Sequence, residues 1–82
     1  MPAIYFVDGP NDGEIVFGET LGALQIPHGY SANFWSSKFG IGWQTANYAI
    51  FVHKTVALTD RERLAASGRA ELLRQHPELE YC

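Results

Sequence analysis

The chain has 82 residues, 46% of them hydrophobic and 13% aromatic, and a net charge of −3 at neutral pH. This length allows one domain with one core. The acidic balance argues against duplex DNA or anionic lipid as a partner, because both require clustered Lys and Arg. Cys82 is the single cysteine, so an intrachain disulfide is excluded.

The expected location follows from the same features. No apolar run approaches the length of about 20 residues that a membrane span requires. Met1 is followed by neither the basic start nor the cleavage site of a secretion signal. We therefore expect a cytoplasmic protein, without a disulfide framework and without a membrane partner.

The first predicted element is a β-hairpin. Residues 4–7 and 14–17 are short apolar runs with strand character. Residues 8–13, Asp-Gly-Pro-Asn-Asp-Gly, are all turn formers, and residues 11–13 can adopt positive φ at low cost. The two strands are thus predicted to pair across a loop of about six residues.

The next two segments are less regular. Residues 21–26 predict a weak third strand that ends at Pro27. Residues 28–43 have no clean period and many loop formers, so they predict a long aromatic loop, with broken strand segments as the alternative. A loop of this length is usually either functional or an element that the pattern conceals.

The longest β-prone run covers residues 44–58. Apolar residues occupy both parities of the run, with Tyr48, Ile50, Val52 and Val56 on one and Ala49, Phe51, His53 and Thr55 on the other. This pattern predicts a central strand that is covered on both faces.

A helix is predicted over residues 59–76, followed by a tail over residues 77–82. Thr59 and Glu62 have the spacing of a capping box, and Pro77 disfavours helical geometry in the residue before it. Gly68 costs about 1 kcal/mol relative to alanine; it marks either close packing on the sheet or a break into two short helices. An apolar stripe at helical spacing comprises Leu64, Ala65, Gly68, Leu72 and Leu73.

Together these elements predict one α+β domain over residues 1–82, with a β-rich part at residues 1–58. Its sheet is three- to four-stranded and mainly antiparallel, and the C-terminal helix packs on one face. Leu64, Leu72 and Leu73 are expected to dock on strand residues Ile4, Phe6, Ile15, Phe17, Ile50 and Val52.

Charge is distributed unevenly along the chain. Residues 59–82 hold nine of the fifteen charged residues, whereas residues 20–53 hold only Lys38. The same middle segment contains seven of the eleven aromatic residues: Tyr30, Phe34, Trp35, Phe39, Trp43, Tyr48 and Phe51. A domain this small cannot bury the whole segment, so part of this uncharged surface is expected to face outward.

Exposed apolar patches usually mark interfaces, and aromatic residues interleaved with Ser, Gly and Asn are typical of protein-binding loops. We therefore predict a partner-binding surface formed by Tyr30, Phe34, Trp35, Phe39 and Trp43. The alternative is that Phe34, Phe51 and one of the two tryptophans supply the core that a small domain needs.

Several other motifs resemble sites for metal binding, catalysis or RNA binding, but none has the residues that such a site requires. Asp8, Asp12, Gly13 and Glu19 match four positions of a calcium loop, but Pro10 at the third position offers no side-chain oxygen. His28, His53 and His76 lack metal-ligand spacing. Ser36-Ser37-Lys38 resembles a solvated turn more than a nucleophile pair, and the C-terminal arginines alternate with acidic residues as on a solvated helix face. We expect no catalytic residue, metal or cofactor.

The hairpin, the segment Leu24-Gln25-Ile26-Pro27 and the later Tyr48-Ala49-Ile50-Phe51 together resemble a loose group of small uncharacterised proteins of actinobacterial phages and prophages. Those chains tend to have a Gly-Gly-Pro-x-Asp-Gly hairpin, whose first glycine is Asp8 here. The resemblance covers about a third of the chain. It implies a phage origin and supplies no mechanism.

The function predicted from the sequence is that of a small non-catalytic protein-binding module, with a phage-encoded modulator of a host protein as the expected role. Its partner would be that host protein or a second copy of the chain. A structural component of a virion that acts as a homo-oligomer is the main alternative. A small metal-dependent domain or enzyme is the third class, and it would require Asp8, Asp12 or the histidines to converge in a pocket.

Overall fold

The computed structural model describes residues 1–36 and 42–81. Four strands, β1 to β4, precede one long helix, α1. Their bounds in chain order are β1 Ala3–Val7, β2 Ile15–Phe17, β3 Tyr30–Ser36, β4 Tyr48–His53 and α1 Leu58–Gln75. Short 3₁₀ helices occur at Leu21–Ala23, Trp43–Thr45 and Pro77–Tyr81.

The four strands form one sheet in the order β2-β1-β4-β3. The outer pairs, β1 with β2 and β3 with β4, are antiparallel, whereas the central pair of β1 and β4 is parallel. All six residues of β4 are buried, which confirms the prediction of a central strand covered on both faces, although the strand covers only Tyr48–His53 of the predicted run over residues 44–58. The α+β class, the mostly antiparallel sheet and the C-terminal helix packed against it are confirmed.

The predicted hairpin is also confirmed. Ile4 of β1 lies opposite Val16 of β2, and Phe6 N donates to Glu14 O at 3.1 Å at the start of the loop. Positive φ occurs at Asp8, Gly9 and Gly13. Of the three residues at which low-cost positive φ was expected, only Gly13 therefore uses it.

The strand predicted over residues 21–26 is wrong. Leu21–Ala23 forms a 3₁₀ helix in which Leu24 N donates to Leu21 O at 3.0 Å. Leu21 is fully buried, and Leu24 and Ile26 pack beside it in the same cluster. The apolar residues of this segment thus cover a face of the sheet from outside instead of pairing within it.

The long loop predicted over residues 28–43 is likewise wrong at residues 30–36, because Tyr30–Ser36 forms β3, the longest of the described strands. Residues 37–41 of the predicted loop lie outside the described part of the chain. Antiparallel pairing with β4 provides hydrogen-bond partners for the backbone groups of β3 that face β4. The strand is interrupted by a register shift between Ala32 and Phe34, and this shift breaks the alternation that identifies strands in a sequence. The broken strand segment considered as the alternative is what forms.

The helix was predicted to within one residue at each end, but its capping box is wrong. Ala57 is the N-cap residue and provides no side-chain hydrogen bond, while Thr59 lies inside the first turn. Near this end, Arg61 Nε donates a hydrogen bond to Val56 O at 2.9 Å. The predicted tail is also wrong in part, since Pro77–Tyr81 forms a 3₁₀ helix that buries Leu79.

Docking of the helix follows the alternation of the strands. Leu64, Leu72 and Leu73 pack in one cluster with Ile15, Ile50 and Val52, as predicted. Ile4 and Phe6 were assigned to this face wrongly. Because Ala3, Tyr5 and Val7 point toward the helix, Ile4 and Phe6 point to the opposite face, where they join Leu21, Ala49 and Phe51.

Phe17 lies at the margin of the helix-side cluster. Its side chain is 40% exposed, and its ring meets the ring of His76 edge-on with the centroids 5.0 Å apart. His76 is the C-cap residue of α1, in agreement with its predicted position at the helix end. Phe17 is thus a partly exposed aromatic at the β2 edge of the sheet.

Candidate interaction surface

Strand β3 is an edge strand of the sheet. Its only neighbour is β4, and no other strand formed by residues 1–36 and 42–81 lies beyond it. An edge strand directs alternate backbone N–H and C=O groups away from its neighbour, where they can pair with another chain. Natural edge strands often carry charged residues that discourage such pairing, but Tyr30–Ser36 contains none.

A β-bulge decides which way the side chains of β3 point. Ala32 lies opposite Phe51, and Phe34 lies opposite Ile50, the next residue along β4, so Asn33 is the extra residue. Without the bulge, Ala32 and Phe34 would share a face of the sheet. The extra residue instead places Phe34 on the helix side.

The next residue, Trp35, lies opposite Ala49 on the other face of the sheet. Phe34 and Trp35 are each 39% exposed. Met1, Phe17 and Leu58 are the other large apolar residues with comparable or greater exposure in the described part of the chain, and they are scattered singly. The pair therefore forms a local concentration of apolar surface, one ring on each side of the strand.

Phe34 is held in place by two neighbours. Its ring stacks on the ring of Tyr48 with centroids 6.3 Å apart, and the guanidinium carbon of Arg69 lies 5.5 Å from its centroid. Arg69 Nε also donates to the Tyr48 hydroxyl oxygen at 2.8 Å, and its Nη2 lies 3.6 Å from a Glu80 carboxylate oxygen. The exposed ring therefore rests on a fixed support that joins the helix to the sheet.

Two other predicted contact residues make hydrogen bonds or ring contacts within the chain. The Tyr30 hydroxyl donates to Asp8 O at 2.5 Å and accepts from Asn11 N at 2.9 Å, while its ring lies edge-on to Phe6. Trp43 is half-buried, and its ring lies edge-on to Phe51 with the centroids 5.0 Å apart. Phe39 lies outside the described residues. The geometry thus assigns packing contacts to Tyr30 and Trp43 and leaves Phe34 and Trp35 exposed.

The polar residues of the hairpin loop are engaged in the turn itself. Asp12 Oδ1 accepts a hydrogen bond from Asp8 N at 2.6 Å, and Asp8 Oδ1 accepts one from Gly9 N at 3.0 Å. Within the described ranges, no group of three or more His, Cys, Asp or Glu side chains could hold a metal ion, and no pocket is present. Asp8, Asp12 and the histidines do not converge in a pocket there.

The three histidines have separate environments. His28 is exposed in a loop, and His76 lies at the end of α1. His53 is buried at the end of β4, where its Nδ1 lies 2.9 Å from Thr55 Oγ1 and accepts from Thr55 N at 3.3 Å. The Tyr30 ring covers His53 edge-on with centroids 4.9 Å apart. His53 is therefore part of the packing that joins β3 to β4.

The outer face of α1 carries local ion pairs, as the sequence predicted. Arg63 pairs with Asp60 at 3.5 Å, and Arg74 Nε donates to Glu71 Oε1 at 3.0 Å. Hydrogen bonds from Arg74 and then Gln75 lower the pKa of the Glu71 carboxyl to about 2. These contacts link oppositely charged side chains along the exposed helix face.

The helices of residues 1–36 and 42–81 include none with the length and apolar character needed to cross a membrane. Comparisons of the chain with protein-family models, with curated proteins and with solved structures gave no match. The resemblance to phage-borne proteins and the predicted location therefore stay predictions.

Proposed function

We propose that the chain is a small non-catalytic protein-interaction module that contacts its partner through β3. The observation that carries this proposal is the combination of an edge position, a seven-residue strand without charge, and two adjacent aromatic side chains that are 39% exposed. We call the strand Tyr30–Ser36 with its exposed Phe34 and Trp35 the β3 edge.

The chemistry of the β3 edge suits the addition of a strand from another polypeptide. Main-chain hydrogen bonds of the added strand would provide affinity, and side chains beside Phe34 and Trp35 would provide specificity. Aromatic rings contribute strongly to interfaces because they bury much area and lose few rotamers. The Arg69 and Tyr48 support reduces the entropy that Phe34 would lose on binding.

The biological role that we propose is that of a phage-encoded modulator which binds a host protein in the cytoplasm. The resemblance of the hairpin to phage-borne chains supports this origin, and the absence of any pocket in the described part of the chain is compatible with binding by a flat edge. A virion component that assembles as a homo-oligomer is the second candidate, because the same uncharged edge can pair with itself.

Site-specific photo-crosslinking tests the proposal. A photoreactive amino acid at position 35 is expected to capture a discrete protein in cells that make the chain. The same amino acid at position 17 is the matched control, because Phe17 is 40% exposed at the opposite edge of the sheet. If both positions capture the same set of proteins, the β3 edge is not the contact surface and the proposal fails.

A further inference from the structure

We infer that the β3 edge pairs with the β3 edge of a second copy of this chain, so that two four-stranded sheets join into one continuous sheet. This inference rests on the proposed interaction through the β3 edge, and it takes a second copy of the chain, the second candidate above, as the partner in place of a host protein. The two-copy sheet would have the order β2-β1-β4-β3-β3-β4-β1-β2, with the longest strand of each copy at its centre.

Self-complementarity is the first argument for a second copy. A twofold interface brings the same surface patch of both copies together, so any charge within the patch would lie near the same charge of the other copy and be repelled by it. The β3 edge has no charged residue between Tyr30 and Ser36. Arg69, the cation that lies over the Phe34 ring, is paired with Glu80 within the same chain. The edge therefore meets itself without electrostatic repulsion, although each chain carries a net charge of −3.

The register of the pairing follows from the bulge. A twofold axis perpendicular to the sheet keeps both helices on one side, so opposite residues must share a face. Placing Phe34 opposite itself would set Trp35 against Asn33, the extra residue that disrupts the ladder. Placing Trp35 opposite Trp35 sets Phe34 against Ser36, so the described residues that pair are Phe34–Ser36 of each copy, the regular part of β3 after the bulge. We assign the second register.

In this arrangement the two indole rings form a cross-strand aromatic pair on the face opposite to the helices. Such pairs stabilise antiparallel strands. Phe34 and Trp35, which are 39% exposed in one copy, would become covered at the same time. A single pair of strands gives a small interface, below about 1,200 Å², so a weak and reversible dimer is expected.

Sedimentation of the purified full chain over a wide concentration range tests this inference. We expect a reversible monomer–dimer equilibrium for the wild type and a dissociation constant at least about tenfold weaker for Trp35→Lys and for Trp35→Glu, since each sets like charges against each other at the centre of the pair. Mixing the two variants in equal amounts should restore association, because opposite charges then face each other. Far-UV circular dichroism confirms that each variant is folded.

The control is Phe17→Lys, which introduces the same charge at an equally exposed aromatic position on the β2 edge and should leave the equilibrium unchanged. A wild type that stays monomeric at millimolar concentration overturns the inference, and so does a dimer that Trp35→Lys leaves intact. Failure of the mixed variants to associate overturns the assigned register. A monomer whose position 35 still captures a different protein would overturn the self-pairing alone and leave the proposed function standing.

Discussion

Gly68 of the helix lies directly against Val7 of the central strand β1. A Cβ atom on Gly68 would approach Val7 Cγ2 to 2.8 Å, closer than packed carbon atoms allow, and would approach Ile50 Cγ2 to 3.1 Å, which is a tight contact. The helix continues through this position without a break from Leu58 to Gln75. Close packing on the sheet, and not a break into two helices, therefore accounts for the glycine.

The first prediction is that Gly68→Ala destabilises the fold. Alanine favours helix by about 1 kcal/mol relative to glycine, but overpacking of a filled core costs about 1–3 kcal/mol. We expect a net loss of about 1 kcal/mol, which lowers Tm by roughly 4–8 °C in a domain of this size. Thermal and urea denaturation measure the change.

The matched control is Ala66→Gly on the exposed side of the same helix. It should destabilise the fold by about 1 kcal/mol through helix propensity alone. If Gly68→Ala raises Tm instead, the helix can move away from Val7 at low cost, and the close packing does not constrain the fold.

A second prediction concerns the link between the hairpin loop and β3. Tyr30→Phe removes a hydroxyl that donates to Asp8 O and accepts from Asn11 N. The loss of both hydrogen bonds should cost about 1–3 kcal/mol in the free energy of unfolding. Amide hydrogen exchange of the loop should also become faster, because Asp8 adopts a positive φ of 65° that these contacts help to hold.

Tyr5→Phe serves as the control, because the Tyr5 hydroxyl forms no hydrogen bond with the described residues. Its effect on unfolding should be clearly smaller. Equal losses for the two variants would show that the hydroxyl of Tyr30 does not fix the loop.

A third prediction addresses the support beneath Phe34. Arg69→Met should destabilise the fold by about 1–3 kcal/mol, because it leaves the hydroxyl of the buried Tyr48 without its donor. In a Tyr48→Phe background the same change should cost much less, since the hydroxyl is already absent. A double-mutant cycle from urea denaturation measures the coupling. A coupling energy near zero would mean that the 2.8 Å contact does not stabilise the fold.

Local patterns identified the elements whose signals lie within a short stretch of sequence. The turn formers around Gly13 identified the hairpin, the double apolar parity around Ile50 identified β4, and the stripe around Leu72 identified the helix. Strand β3 was concealed because Asn33 shifts its parity midway, which a period-two search cannot detect. The contact between Arg69 and Tyr48 spans 21 residues and leaves no local signal.

The candidate surface was predicted in outline. The charge gap indicated that part of the middle segment faces outward, and Phe34 and Trp35 are exposed there. Which of the rings pack inside depended on tertiary contacts, since Tyr30 is held by the hairpin loop and Trp43 by Phe51. Composition fixes how much aromatic surface exists but not which face of the sheet each ring occupies.

A fourth prediction is a pH dependence at the helix surface. Hydrogen bonds from Arg74 and Gln75 lower the pKa of the Glu71 carboxyl from its ordinary value of 4.5 to about 2. Because the pKa is lower in the folded chain, the stability that this contact contributes is present above pH 4.5 and is lost as the pH falls through about 2. An NMR titration of the Glu71 side chain should show the low midpoint.

The Arg74→Gln variant should return the midpoint of Glu71 toward its ordinary value, because Arg74 is the largest cause of the shift. Added salt should act in the same direction, since the pair is exposed to solvent. A low midpoint that persists in the variant would assign the shift to Gln75 instead.

The last prediction concerns the bulge in the β3 edge. Deleting Asn33 should leave the chain folded, because Ala32 and Phe34 already face consecutive residues of β4 and the shortened strand can pair without a shift. The regular strand should also associate more strongly with a second copy, since bulges twist edge strands away from partners. Sedimentation is expected to show a dissociation constant several-fold lower than that of the wild type. Asn33→Gly keeps the extra residue and is the control. A folded deletion variant that associates no better than this control would show that the bulge does not limit pairing at the edge.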